Sequence, residues 1–365
     1  MSINLSDYGF TGADFIAAQS IINEKENYIP ARIIEAQRDR FKVICEHGEV
    51  TAEIKGSFYH SNAGEDPDKI PVVGDFVIIK YNNTGSSLIN AILPRRSRFS
   101  RVDFLGHAAG YAKNVREQVN AANFDYVFIV SSLNYDLNIK RLARYLTASL
   151  QSGGFPVFIL TKADLADDPC AAAAEVRKIA GNIPVITISN KTGFGFDELK
   201  PYLESGKTAV FLGSSGVGKS SLLNRLSGEE LMKVKEIRED DSKGRHTTTY
   251  RELFRLSSGA LVIDTPGMRE MGLWDSEEGI SLAFAEVEEL FSGCRFNDCS
   301  HRNEPGCAVL AALENGSLSQ EQWKSYLFQK KENNFVISRS DYLKQKQEFH
   351  KKISMYQRER KKVNK

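Results

Sequence analysis

The run Gly213-Ser214-Ser215-Gly216-Val217-Gly218-Lys219-Ser220 constrains this chain more than any other feature, because it specifies both a phosphate site and the fold around it. Residues 209–212 ahead of it read as a buried strand, and Ser221 to Leu226 behind it read as a helix. In that strand, loop and helix setting the glycines let backbone N–H groups wrap phosphate oxygens. Lys219 reaches the terminal phosphates, and the Ser220 hydroxyl suits magnesium at a helix N-terminus. Ser214, Ser215, Val217 and Ser221 complete the nucleotide-contacting run.

Downstream, the apolar run 260–263 leads into Asp264-Thr265-Pro266-Gly267. There a carboxylate at a strand end holds magnesium through water, and the Gly267 amide meets a γ-phosphate. Between the two motifs, Gly244-Arg245-His246-Thr247-Thr248-Thr249 lacks core periodicity and reads as a switch loop. Thr248 is the first choice to complete the magnesium shell, with Thr247 and Thr249 as alternatives. A base reader stands upstream. Thr161-Lys162-Ala163-Asp164 ends the apolar run 156–160, and Asp164 suits the ring N–H and exocyclic amine of guanine. Ser189-Asn190-Lys191 follows the next strand and is expected to close over the base. The base-reading elements therefore precede the phosphate loop.

The 365 residues exceed one ordinary domain. Short β runs at 31–36, 41–45, 50–54, 75–79 and 88–93 predict a five-stranded barrel of the oligonucleotide-binding type, which an SH3-like barrel fits nearly as well. From residue 123, strands alternate with amphipathic helices, the pattern of a parallel sheet whose ligands sit beyond the strands' carboxyl ends. From about 281 the pattern turns helical. The expected division is 1–100, 101–280 and 281–365. Cys294, Cys299, His301 and Cys307 offer three thiolates and an imidazole, a donor set for one structural, tetrahedral zinc ion. Cys45 and Cys170 read as small apolar fillers. A net charge of +1 hides a dipolar chain, since residues 321–365 carry 13 Lys or Arg against 5 Asp or Glu. Such a basic tail favours phosphate-backbone binding. No apolar run reaches the roughly 18 residues of a membrane span, and the N-terminus lacks the marks of a signal peptide. A cytoplasmic protein with no membrane partner is expected.

The whole pattern resembles the ribosome-small-subunit-dependent GTPase A family (RsgA, also called YjeQ or YloQ). The matching features are Pro71-Val72-Val73-Gly74-Asp75, Leu93-Pro94-Arg95-Arg96, Ala121-Ala122-Asn123, the phosphate loop, Gly244 to Thr249, Asp264 to Gly267 and the cysteine cluster. The resemblance implies an N-terminal OB-fold β-barrel, a central circularly permuted α/β P-loop GTPase domain and a C-terminal, mostly α, zinc-binding domain. It also implies hydrolysis of GTP to GDP with Mg2+, stimulated by the small (30S) ribosomal subunit, in a factor that binds rRNA at a late maturation checkpoint; a monomer is expected. Lys219, Thr248 and His246 are then the catalytic candidates; His246 could equally be a phosphate-adjacent or solvent-facing loop residue.

Two positions depart from common GTPases. Thr161 replaces an asparagine, giving up one possible anchor to the base or phosphate loop. Met268 stands where many GTPases place a water-orienting glutamine, so unaided hydrolysis should be slow. Permutation also runs the segment after Gly267 almost directly into the cysteine region, offering a covalent path from the γ-phosphate to the tail. Two other readings compete: an RNA-binding module in which nucleotide is only a conformational ligand, and a phosphate-loop ATPase or small-substrate kinase, which Asp164 disfavours.

Overall fold

Short β-rich runs bounded by turn residues build a barrel from β1 (Tyr28–Gln37), β2 (Arg40–Cys45), β3 (Gly48–Ile54), β4 (Phe76–Lys80) and β5 (Ser87–Ile92). The computed structural model describes residues 3–22, 27–37, 40–54, 70–105, 114–134, 137–230, 251–264, 276–335 and 337–338. The barrel strands pair in the order β1-β2-β3-β5-β4 and close through β1–β4, with β3 and β5 parallel. This Greek-key closure is the oligonucleotide-binding arrangement and removes the SH3-like alternative. The helix Gly12–Gln19 packs Ala18 against Phe76, Ile78 and Leu93. A capping box starts that helix: Asp14 Oδ2 accepts the Thr11 N–H at 2.8 Å, and Thr11 Oγ1 accepts the Asp14 N–H at 3.4 Å.

β6 (Arg98–Leu105) and β7 (Asn114–Ala122) form a separate two-stranded sheet. The α/β sheet comprises β8 (Tyr126–Ser132), β9 (Phe155–Thr161), β10 (Val185–Thr187), β11 (Thr208–Leu212), β12 (Arg251–Arg255) and β13 (Leu261–Asp264). Its order is β10-β9-β8-β11-β13-β12, parallel except for β12. β8 and β9 are buried almost throughout, as strands covered on both faces must be. One face packs Phe128, Val130, Ile159 and Phe211 against Leu222 and Leu223 of the helix Lys219–Ser227. The helices between strands start on their own caps. Asn138 Oδ1 accepts the Arg141 N–H at 3.0 Å, and Asp168 Oδ1 accepts the Ala171 N–H at 2.9 Å, with Pro169 following.

β12 pairs on its outer edge with β1, Glu35 opposite Glu252 and Ala36 opposite Arg251, so barrel and nucleotide sheet share one hydrogen-bonded array. The three barrel-side motifs meet at this junction. Asp75, fully buried, accepts Arg95 Nε and Nη2 at 2.7 Å each. Gly74 (φ +91) packs so tightly that a Cβ there would lie 2.1 Å from the Ala122 carbonyl oxygen, which no other residue tolerates. Asn123, left-handed at φ 55, accepts the Arg96 N–H at 3.0 Å and donates to Gly74 O at 3.2 Å. Arg32 of β1 runs through the same seam, fully buried. It donates to Gly74 O (3.2 Å), Asn123 O (2.7 Å), Tyr8 O (2.5 Å) and Thr208 Oγ1 (3.0 Å), with its guanidinium 4.8 Å from the Phe76 ring centre.

The chain falls into two compact units, residues 1–100 with 119–271 and residues 101–118 with 272–365. In the second, the helices Glu277–Ala283, Ala285–Glu289 and Ala308–Asn315 and a helix over 320–335 enclose Ile280, Phe284, Val287, Val309 and Trp323. Asn333, buried, receives the Ser276 N–H at 2.8 Å. Among the described residues no helix is long and apolar enough to cross a membrane. The basic tail beyond residue 338 lies outside them.

Candidate nucleotide site and metal cluster

Because β10, β9, β8, β11 and β13 run parallel in that order in one sheet, the segments that leave their carboxyl ends gather along one edge. Thr161 to Asp164 leave β9, Ser189 and Asn190 follow β10, the phosphate loop leaves β11, and Asp264 closes β13. Residues from 161 to 264 thus converge, and the base-side segments come first in the chain.

The loop between β11 and the helix Lys219–Ser227 is held by its own sequence. Val217 is fully buried in the core, a placement that contributes about 1.5–3 kcal/mol and pins the loop's far side. Gly213 lies against Val130, where a Cβ would stand 2.3 Å from the carbonyl oxygen. Gly216 and Gly218 take φ of +79 and +99, the left-handed region glycine enters without strain. Lys219 Nζ spans the loop, donating to Gly213 O at 2.7 Å and to Ser214 O. Ser220 and Ser221 occupy the first turn of the helix, where orphan N–H groups and the dipole favour an anion.

On the base side, Lys162 is left-handed (φ 60), so the chain turns sharply after β9 and leaves Asp164 exposed. Ser189 Oγ donates to Asp164 Oδ1 at 2.5 Å and accepts the Thr192 N–H at 3.2 Å. A carboxylate has acceptor sites to spare after one such bond, so Asp164 still suits two donors on one ring edge. Thr161 keeps the phosphate-loop anchor that loss of an asparagine put in question. Its buried hydroxyl donates to Val217 O, with Ser131 O at 3.4 Å. Asn190 Nδ2 adds a 3.5 Å contact to Gly218 O. Sequence reasoning passed over Arg225, whose Nη1 donates to Asn190 O at 2.8 Å. His246, Thr247, Thr248, Thr249, Thr265, Gly267 and Met268 lie outside the described residues.

In the second unit the ligand atoms of Cys294, Cys299, His301 and Cys307 lie within 4.8 Å of one another. His301 Nδ1 is 3.5 Å from the Cys294 and Cys307 sulfurs, which are 4.0 Å apart. Tetrahedral zinc requires edges of about 3.8 Å between sulfurs and about 3.5 Å from sulfur to nitrogen. Cys294, His301 and Cys307 match those edges, and Cys299 completes the donor set within 4.8 Å of the others. Phe291 stacks on the His301 ring at 4.4 Å. Glu304 folds the intervening loop, accepting the N–H groups of Ser300 (3.0 Å), Arg302 (3.0 Å) and Asn303 (3.1 Å) and the Ser300 hydroxyl. Those bonds, led by the Ser300 hydroxyl, hold its carboxyl down at about 2.

A family model described as RsgA GTPase matches residues 92–274. The small ribosomal subunit biogenesis GTPase RsgA 2 of Listeria monocytogenes is 45% identical over 326 residues, 89% of this chain and 88% of that protein. The small ribosomal subunit biogenesis GTPase RsgA of Methanosarcina acetivorans is 45% identical over 300 residues, 82% and 78%. Among solved structures, YjeQ from Thermotoga maritima matches with a TM-score of 0.59 at 27% identity, covering 82% of this chain and 96% of that one. YloQ, a circularly permuted GTPase, matches with a TM-score of 0.57 at 25% identity, covering 87% and 98%. With the base-side loops preceding the phosphate loop in the chain yet lying beside it on one sheet edge, the protein belongs to the RsgA GTPase family and is a GTP-hydrolysing enzyme with a circularly permuted nucleotide domain.

Proposed function

We propose that the enzyme hydrolyses GTP to GDP and phosphate under stimulation by the small ribosomal subunit, as a cytoplasmic, monomeric checkpoint factor late in that subunit's maturation. The observation that carries the catalytic part is the convergence of Asp164, Lys219, Ser220 and Asp264 on one sheet edge. The names of the curated relatives support the ribosomal part.

Asp164 pairs with the guanine ring N–H and exocyclic amine, and Ser189 and Asn190 close the base side. Gly213 to Gly218 present backbone N–H groups to the phosphates, and Lys219 moves from its loop carbonyls onto the terminal phosphates. Magnesium, when bound, neutralises phosphate charge; Ser220, Asp264 and Thr248 would hold it. His246 is the group that orders the attacking water once the subunit docks. Without that partner, Met268 leaves turnover on the order of 10⁻⁴ to 10⁻² s⁻¹. Cys294, Cys299, His301 and Cys307 would hold zinc as a structural staple, since four protein ligands leave no open position. The barrel and the basic tail take up rRNA.

The test is GTP turnover with each purified ribosomal subunit, wild type beside His246→Ala. Small-subunit stimulation that vanishes in the variant, with nucleotide affinity intact, is the expected result. Equal rates with and without the small subunit would overturn the proposal.

A further inference from the structure

We infer that Arg225 is a positioning residue for guanine recognition, fixing the base-side loop against the helix that carries the phosphate contacts. The inference rests on the reading of Asp164 as the guanine contact.

Arg225 lies on the helix Lys219–Ser227, less than two turns past Lys219 and Ser220. Its side chain leaves the phosphate half of the site and reaches the base half. Nη1 donates to Asn190 O at 2.8 Å, and the guanidinium carbon stands 5.0 Å from the Phe196 ring centre. Gly193 makes room for it: a Cβ there would lie 2.4 Å from Nη2, and Gly193 is also left-handed at φ +86. The planar fork therefore sits between a backbone carbonyl, an aromatic face and a glycine, an arrangement a lysine cannot reproduce.

The segment it grips is a closed turn. Ser189 N–H donates to Phe194 O at 3.1 Å, Gly193 N–H to Ser189 O at 2.9 Å, and Thr192 N–H to Ser189 Oγ at 3.2 Å. Such a turn moves as one piece, so a grip at Asn190 is a grip on Ser189. Ser189 in turn holds the Asp164 carboxylate at 2.5 Å. The chain of contact runs from helix to Arg225, to the turn, to Ser189, to Asp164. It sets the plane in which Asp164 meets the ring edge that carries the exocyclic amine. Asn190 Nδ2 gives only a long second tie at 3.5 Å.

Guanine and hypoxanthine share the ring N–H and differ in the exocyclic amine, so the ratio of GDP to IDP affinity reports how well Asp164 is aimed. In the full-length protein, Arg225→Ala should weaken GDP binding about tenfold, equivalent to about 1.4 kcal/mol. IDP binding should fall twofold or less, so the GDP preference shrinks severalfold. Arg225→Lys should fall between wild type and Arg225→Ala, and the melting temperature should barely move because the side chain is exposed. A merely structural role would lower both affinities by the same factor and leave the preference unchanged. That result, or unchanged binding of both nucleotides, would overturn the inference. A wild-type protein with no preference for GDP over IDP would instead remove the reading of Asp164 itself, and this inference with it.

Discussion

Thr161→Val isolates one hydrogen bond that braces the phosphate loop. The side chain is fully buried, and its single proton goes to Val217 O, the carbonyl between the loop and the helix that starts at Lys219. Valine keeps the volume and removes only that donor, so packing around Ser131 and Gly218 is preserved. Losing a buried hydrogen bond of this kind costs about 1–2 kcal/mol, since Val217 O must either go unpaired or drag the loop to a new partner. The nucleotide needs the loop in its present shape, so the loss appears as about a 5–30-fold drop in affinity. GDP and IDP should weaken by the same factor, because the loop meets phosphates and not the base. This is the opposite signature to Arg225→Ala. Titration calorimetry with both diphosphates reads it, and Thr161→Ser, which keeps the hydroxyl, should bind within about twofold of wild type. If Thr161→Val bound GDP like wild type and melted at the same temperature, the hydroxyl would not be an anchor.

Arg32→Met should cost about 3 kcal/mol, because three carbonyls and the Thr208 hydroxyl lose their donor together; denaturant unfolding measures it, and hydrogen exchange should rise in β1 and at 72–75. Glu304→Ala should release zinc to a chromophoric chelator about tenfold faster, because the loop between Cys299 and Cys307 loses four hydrogen bonds to one carboxylate. Glu252 faces Glu35 and Asp264 on its two neighbouring strands, and burial first, then the Glu35 carboxylate, pushes its carboxyl above the usual range. Glu49 adds to the rise, while Lys42, 3.0 Å from Glu35, opposes it. With the folded value raised, its contribution to stability is present below the ordinary carboxylate range and is lost as pH rises through the folded value. Glu252→Gln should therefore raise the melting temperature by about 1 °C at pH 8 and leave it unchanged at pH 4.

The barrel strands were legible because short β runs between turn residues are local signals, and each ends within three residues of its sequence expectation. The strand pattern favoured the oligonucleotide-binding type but left an SH3-like barrel open, since the choice between them is decided by β3–β5 and β1–β4, pairings with no local signature. The helix Gly12–Gln19 left a signal that went unread, Thr11 followed three residues later by Asp14. β12 is five residues with Leu253 alone buried, too short to separate from a loop until β13 and β1 claim its two edges.

The loop read as the phosphate site and the segment read as the base site stood out in the sequence for a different reason. A nucleotide is gripped by runs of consecutive backbone groups, so the chemistry itself demands contiguous sequence. The braces obey no such rule. Arg225 meets Asn190 across 35 residues, Thr161 meets Val217 across 56, and Arg32 meets Thr208 across 176. In sequence each reads as ordinary: a solvated arginine on a helix, a strand-end threonine, a charged residue on a barrel strand. The base half comes first in this chain and the phosphate half second; the β9-β8-β11 ladder sets them side by side, and two of these side chains tie their strand-end loops together. Thr161 reaches from the base half to hold the phosphate loop, and Arg225 reaches back to hold the base loop. Their two truncations should therefore fail in opposite ways, one blind to the base and the other sensitive to it.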